Sequence, residues 1–292
     1  MGRTPTTIMA ASNNPRPFAM PKLGLGTWGM GEDASRRQAE VGAVREALSL
    51  GYRLIDTAEM YGEGGAESVV GTALAGALRA GALRRDDLVV VSKVYPHNAT
   101  RRGTPAACMR SLERLGLERI DLYLLHWRGS VPLAETVGAL QDLQSRGQIG
   151  RWGVSNFDVD DMEELWALKG GKDCAANQVY YSLGERGPAH SLLPWLQARG
   201  VPLMAYSPID QGAIARDAQL AARAAELGMS AAQLALAWLA AQPGVVPIPK
   251  AVRSEHLRDN LSALDRVLDE STRAMLAARY PVPARKPPLA MI

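Results

Sequence analysis

At 292 residues with 47% hydrophobic side chains, the chain suits two small domains or one α/β barrel of about 250 residues plus insertions. Its 33 basic and 30 acidic residues leave a formal charge of +3, which gives no electrostatic footprint for nucleic acid, and no run approaches the ~20 apolar residues of a membrane span. Two distant cysteines, Cys108 and Cys174, form neither a disulfide framework nor a metal-ligand spacing. A small molecule is the natural partner that remains. No metal and no obligate protein partner are indicated, and a reducing, cytoplasmic setting fits. Residues 1–17 are polar and proline-bearing without an apolar signal segment, so a flexible tail is expected there.

Leu23-Gly24-Leu25-Gly26-Thr27-Trp28 is the first strand candidate. A helix follows over 34–50, its apolar face formed by Val41, Val44, Ala47 and Leu48. Leu54-Ile55 ends a short buried strand at Asp56, and the chain then turns small and polar through Tyr61, Gly62 and Gly64. A helical run over 67–78 precedes Leu88-Val89-Val90-Val91-Ser92-Lys93, a continuous run as in a strand covered on both faces. Thr104-Pro105 is expected to cap and start the next helix, which ends at Gly116.

The alternation continues with a strand over 120–126 closing on His126, a helix over 133–147, and a strand over 149–154 closing on Ser155-Asn156. Asp158 starts a helix to 168, followed by a strand over 176–180 and a helix over 191–199. A strand over 201–206 closes on Ser207-Pro208. Helical patterns over 218–227 and 231–241 precede Val245-Val246-Pro247-Ile248-Pro249-Lys250, and helices over 254–264 and 270–278 end the pattern. Alternating strands and helices imply a parallel sheet, and eight such units point to a closed (β/α)8 TIM barrel. The glycines at 24 and 26 do not complete a dinucleotide fingerprint, because no helix opens after them. The expected organisation is a single barrel domain over 18–280 with a short, proline-rich tail over 281–292.

Asp56 and Tyr61 follow the second strand, Lys93 ends the third and His126 ends the fourth. Strands lie about 4.8 Å apart, so these side chains would converge at one end of a barrel. Taken singly, each fits a structural role: Asp56 a cap, Lys93 a snorkelling side chain, His126 a core histidine. Jointly they make an acid. A tyrosine of reference pKa about 10 is a poor donor at neutral pH, and an adjacent ammonium lowers that value. Lys93 can supply the charge, Asp56 can hold Lys93, and His126 can orient a carbonyl oxygen. The chain holds only six lysines, which makes one at a strand end informative.

These four residues, with Gly24-Leu25-Gly26-Thr27-Trp28 and the Asp-Thr-Ala-x-x-Tyr-Gly context, resemble the aldo-keto reductases over about 23–264. The resemblance implies a (β/α)8 barrel that reduces an aldehyde or ketone with NADPH, Tyr61 acting as general acid. By the same resemblance Gly26, Thr27, Trp28 and Asp56 lie against the cofactor. Ser155, Asn156 and Gln178 bind the carboxamide, and Tyr206 stacks on the nicotinamide, although the strand pattern equally allows a core aromatic. Ser207 and Pro208 begin the loop over the pyrophosphate. Ile248 and Lys250 lead to the 2′-phosphate, and Asp259 and Asn260 match the adenine-contacting pair. Trp28 and Trp127, with Tyr61 and His126, outline the substrate pocket, and either tryptophan also fits ordinary packing.

Three positions depart from the family pattern: Ala251 stands where a serine is common, His256 where an arginine often meets the 2′-phosphate, and Asp259 for glutamate. Arg253 and Arg258 lie nearby as substitutes, and NADPH is expected to stay preferred by a reduced margin, with appreciable use of NADH. The short tail implies an open pocket. Two other readings compete: a cofactor-binding regulatory subunit on the same barrel, and an isomerase using Lys93 for a Schiff base. The second requires a low-pKa lysine, which Asp56 opposes.

Overall fold

The computed structural model describes residues 8–10 and 18–292. Strands β1 (Ile8–Ala10) and β2 (Phe18–Met20) pair antiparallel. Residues 8–10 of the expected flexible tail thus pair with Phe18–Met20, and the rest of that tail, residues 1–7 and 11–17, lies outside the described residues. Met20 is fully buried and packs into the barrel interior with Leu54, Val91, Leu122 and Met204.

The barrel strands are β3 (Leu25–Gly26), β4 (Leu54–Asp56), β5 (Val89–Val94), β6 (Ile120–Leu125), β7 (Ile149–Ser155), β8 (Asn177–Tyr180), β9 (Leu203–Tyr206) and β10 (Val245–Pro247). Each pairs in parallel with its sequence neighbour. The last strand returns to the first: Gly24 N donates to Pro247 O at 3.0 Å, Gly26 N to Pro249 O at 3.0 Å, and Gly26 bridges Lys250. A Cβ on Gly26 would lie 2.8 Å from Ile248 O, so this seam closes only around a glycine. The expected (β/α)8 barrel is the architecture observed.

The helices are α1 (Arg37–Leu50), α2 (Gly65–Arg79), α3 (Gly103–Leu115), α4 (Leu133–Ser145), α5 (Val159–Ala167), α6 (Gly187–His190), α7 (Leu192–Gln197), α8 (Ala218–Glu226), α9 (Ala231–Ala240), α10 (Ser254–Ser262) and α11 (Glu270–Arg279). Asp158 caps α5 by accepting from Val159 N at 2.6 Å, as its position before an apolar run implies. Thr104 does not cap α3. The helix starts at Gly103, whose N–H donates to Thr100 Oγ1 at 2.9 Å, while the Thr104 hydroxyl donates back to Asn98 O at 3.4 Å.

Strand periodicity divides the core in two. Val90, Tyr123, Trp152, Val154 and Val179 pack outward against the helices, whereas Leu54, Val91, Leu122, Leu124, Met204 and Val246 fill the interior. The same parity carries through to the strand ends and sets what faces the barrel mouth.

Helix α2 tests the close packing of the outer layer. A Cβ on Gly71 would lie 2.4 Å from Arg114 O, the backbone of α3, whereas one on the exposed Gly42 of α1 meets nothing within 4 Å. Both substitutions gain up to about 1 kcal/mol of helix propensity, and overpacking costs about 1–3 kcal/mol. Gly42→Ala is therefore expected to raise the thermal midpoint and Gly71→Ala to lower it, as measured by calorimetry.

Candidate active site

Parity along β4, β5 and β6 turns Asp56, Lys93 and His126 inward at the C-terminal end of the barrel. Tyr61 arrives on the turn Tyr61–Gly64 that follows β4. Lys93 is fully buried, and Nζ donates to Asp56 Oδ2 at 2.8 Å, Thr57 O at 2.9 Å and Tyr61 Oη at 3.1 Å. All three ammonium protons are thereby used. Asp56 Oδ1 accepts from Gln178 Nε2 at 2.7 Å, a bond that crosses the barrel from β8 to β4. The Tyr61 and His126 rings meet edge to face with centroids 5.8 Å apart.

The electrostatics differ from the sequence expectation in one respect. Lys93 does pull the Tyr61 hydroxyl down, but burial is the larger effect and Asp56 also pushes upward, so its pKa is raised. Tyr61 therefore keeps its proton throughout the neutral range. Burial opposes the Lys93 charge, yet Asp56 and Tyr61 together outweigh it and the ammonium pKa is raised. A Schiff-base lysine needs the opposite shift. Burial, with Lys93 beside it, holds His126 well below the usual imidazole value, so the ring is neutral. Its Nδ1 is buried and has no hydrogen-bond partner.

Asp56, Tyr61, His126 and Gln178 line a cavity of about 710 Å³, with Lys93 buried behind them. The cavity's apolar lining is formed by Trp28, Met60, Trp127, Met291 and Ile292. The tail thus reaches the site. Lys286 Nζ pairs with Asp158 and Asp160, each at 2.9 Å, Leu289 packs on the core, and Met291 and Ile292 line the cavity. The pocket expected to be open for want of a long tail is walled by a short one.

The same cavity is also lined by Gly26, Ser155, Asn156, Gln178, Tyr206, Ser207, Pro208, Ile248 and Lys250. Ser155 Oγ donates to Gln178 O at 2.9 Å. Asn156 adopts φ +59°, which asparagine tolerates, and its side chain donates to His126 O at 3.1 Å and accepts from Tyr206 Oη at 3.0 Å. Tyr206 stacks on Tyr180 with centroids 5.8 Å apart, and Tyr180 Oη donates to Asp210 in the loop after β9.

Not every expected residue lines the cavity. Thr27 is fully buried, with Oγ1 donating to Asp56 O at 2.9 Å, so it braces the end of β4. His256, Asp259 and Asn260 sit on α10, outside the cavity wall. Arg253 Nη2 lies 2.7 Å from His256 Nε2 on the exposed face. Arg258 points the other way, pairing with Glu46 of α1 at 2.9 Å and also with Ser254. Of the two arginines considered as substitutes, only Arg253 stands beside His256.

Sequence reasoning missed Gly29, Met60, Ile209, Gln211, Gly212, Met291 and Ile292 in the cavity lining. Met60 was open to inference from its place beside Tyr61. The tail residues carry no local signal, since their position depends on the route the chain takes after α11.

Comparison with known proteins agrees with this geometry. The model of the Aldo/keto reductase family matches residues 22–280. Methylglyoxal reductase YeaE of Escherichia coli (strain K12) is 47% identical over 279 residues, covering 94% of this chain and 96% of that one. Glyoxal reductase of Bacillus subtilis (strain 168) is 34% identical over 254 residues, covering 86% of each. The crystal structure of an aldo/keto reductase from Klebsiella pneumoniae in complex with NADP and acetate superposes with a TM-score of 0.89 at 47% identity, over 94% of this chain and 96% of that one. Barrel, strand-end cluster and match over nearly the whole length agree, and the chain belongs to the aldo/keto reductase family.

Proposed function

We propose that the chain reduces aldehydes and ketones to alcohols with NADPH, Tyr61 giving its proton to the carbonyl oxygen. The observation that carries this reading is the saturation of Lys93 by Asp56, Thr57 and Tyr61. Because Tyr61 Oη accepts from the ammonium, its own proton is free to point into the cavity. The neutral His126 ring offers an N–H to orient the same oxygen, and the charge that develops on Tyr61 as it gives up its proton meets the Lys93 ammonium.

The cavity's polar side fits a nicotinamide nucleotide. Ser155, Asn156 and Gln178 suit the carboxamide, and the free face of Tyr206 suits the ring. Gly26, Thr27, Trp28 and Ile248 flank the ring, and Ser207 and Pro208 lead into the loop over the pyrophosphate. Lys250, with Arg253 and His256, suits the 2′-phosphate, and Asp259 and Asn260 the adenine. When bound, the nicotinamide supplies the hydride. The apolar wall of Trp28, Trp127 and Met291 suits small uncharged carbonyls, and the relatives' names make methylglyoxal and glyoxal the first to test. Two buried free cysteines support a reducing compartment, and no helix among the described residues is long and apolar enough to cross a membrane.

NADPH oxidation against a panel of dicarbonyls, small aldehydes and sugars tests the reading. NADPH binding without turnover on any of them would overturn it in favour of a binding subunit. Tyr61→Phe is expected to lower kcat at least about a hundredfold, the usual contribution of general acid catalysis, with little change in cofactor affinity. Lys93→Met is expected to lose activity and also about 3–5 kcal/mol of stability, because it leaves the buried Asp56 without its cation. A near-normal rate in either variant overturns the assignment.

The pH profile follows from the shifts. The active form of Tyr61 is protonated and its pKa is raised, so activity persists through neutral pH and falls only above the ordinary tyrosine value of about 10. His126 stays neutral because its pKa is lowered, so no acid limb is expected near the ordinary imidazole value of about 6.5. An acid limb near that value, abolished in His126→Gln, would refute this.

Cofactor choice is expected to rest on Arg253 more than on Arg258. A charge-assisted hydrogen bond is worth about 1.5–3 kcal/mol, so Arg253→Ala should lower the NADPH-to-NADH ratio of kcat/KM about tenfold or more. Arg258→Ala should leave it nearly unchanged, because Glu46 already holds that guanidinium.

A further inference from the structure

Glu59 is a buried carboxylate, 6% exposed, that does not line the cavity. It lies between Asp56 and Tyr61 on the loop after β4. Its backbone N–H reaches Lys93 O at 3.4 Å, and its Oε1 accepts from Tyr95 N at 2.8 Å and Asn98 Nδ2 at 3.1 Å. Oε2 accepts from Arg110 Nη2 at 3.3 Å. A buried carboxylate is costly unless its lone pairs are met, and these donors all come from the segment after β5 and from α3. The loop that carries Tyr61 is thereby tied to the strand end that carries Lys93.

Glu63, two residues beyond Tyr61, makes a second tie: its Oε1 accepts from Tyr95 Oη at 3.1 Å. Tyr95 is thus held at its backbone by Glu59 and at its hydroxyl by Glu63, with Tyr61 midway between the two carboxylates in sequence. The Tyr95 ring also stands edge-on to Trp127, centroids 5.9 Å apart at 88°, and Trp127 packs on His126 at 4.9 Å. Neither carboxylate is among the groups that shift Tyr61, Lys93 or His126, so any effect on the chemistry comes through position.

Resting on the assignment of Tyr61 as proton donor, we propose that Glu59, Tyr95 and Glu63 form a clamp that holds Tyr61 within reach of Lys93 and couples it to the Trp127 wall. Glu59 is the principal positioning residue. Its peptide and carboxylate bonds fix both sides of the Tyr61–Lys93 contact, whereas the Glu63 bond is exposed and adds less. Losing the clamp lets the loop drift, and an error of about 1 Å in a reacting group can cost about a hundredfold in rate.

The test compares Glu59→Ala, Glu59→Gln and Tyr95→Phe with Tyr61→Phe, reading kcat, carbonyl KM, NADPH dissociation constant and thermal midpoint. Glu59→Ala is expected to lower kcat about ten- to a hundredfold and to raise carbonyl KM, with NADPH affinity held within about twofold. Glu59→Gln should recover kcat to within about threefold, because its amide oxygen still accepts from Tyr95 N. Tyr95→Phe, which loses only the Glu63 bond, should lower kcat about two- to fivefold. A folded Glu59→Ala enzyme with wild-type kcat overturns the clamp, as does a glutamine variant no better than alanine. Should Glu59→Ala fail to fold, Tyr95→Phe decides: a wild-type kcat there overturns the proposal and the expected loss supports it. Wild-type activity in Tyr61→Phe would instead overturn the acid assignment, whereas a slow Tyr61→Phe beside a normal Glu59→Ala overturns the clamp alone.

Discussion

The burial of one ammonium governs this structure. A lysine removed from water would ordinarily shed its proton, since burial penalises the charged form. Lys93 keeps its charge because a carboxylate, a peptide carbonyl and a phenol each take one of its protons. Those three acceptors come from β4 and the loop behind it, so the charge survives only while β4 and β5 hold their register, with Asp56 opposite Val91. Slippage by one residue would turn Lys93 outward and leave Asp56 buried alone.

That requirement extends around the barrel. Asp56 divides its two oxygens between Lys93 and Gln178, so β8 on the far side shares in holding the pair. Below them the interior is filled with Met20, Leu54, Val91, Leu122, Leu124 and Met204, which keeps the polar cluster at one end and away from water from beneath. A packed interior with a polar mouth is the general condition under which barrels of this kind place chemistry at the C-terminal ends of their strands. The hydrophobic core and the site are therefore two consequences of one alternation.

The rim shows how little the identity of a charged residue says about its use. Arg253 and Arg258 are five residues apart and both exposed, yet one meets His256 and the other meets Glu46 on α1. Lys286 is spent in fastening the tail to the start of α5, and Met291 and Ile292 follow it to the cavity wall. Surface ion pairs of this kind contribute only about 0–1 kcal/mol each to stability. Their consequence here is direction rather than stability.

Much of this protein was legible in the sequence. Eight apolar runs alternating with amphipathic helices specified the barrel, because strand and helix periodicities are local properties of the chain. The strand ends at Asp56, Lys93 and His126 could be read for the same reason, since period two assigns each to the inner face. Other features needed the fold. The Tyr61 pKa turned on a competition between burial and a neighbouring charge, and burial is a property of the whole packed molecule. The pairing of Ile8–Ala10 with Phe18–Met20, the Glu59–Tyr95–Glu63 ties, the two fates of Arg253 and Arg258, and the tail's route to the cavity all join residues apart in sequence. Sequence alone determined which face each strand residue takes, because backbone geometry decides that within two residues; only the tertiary structure decided which distant partner each polar group meets, because that depends on how every intervening element packs.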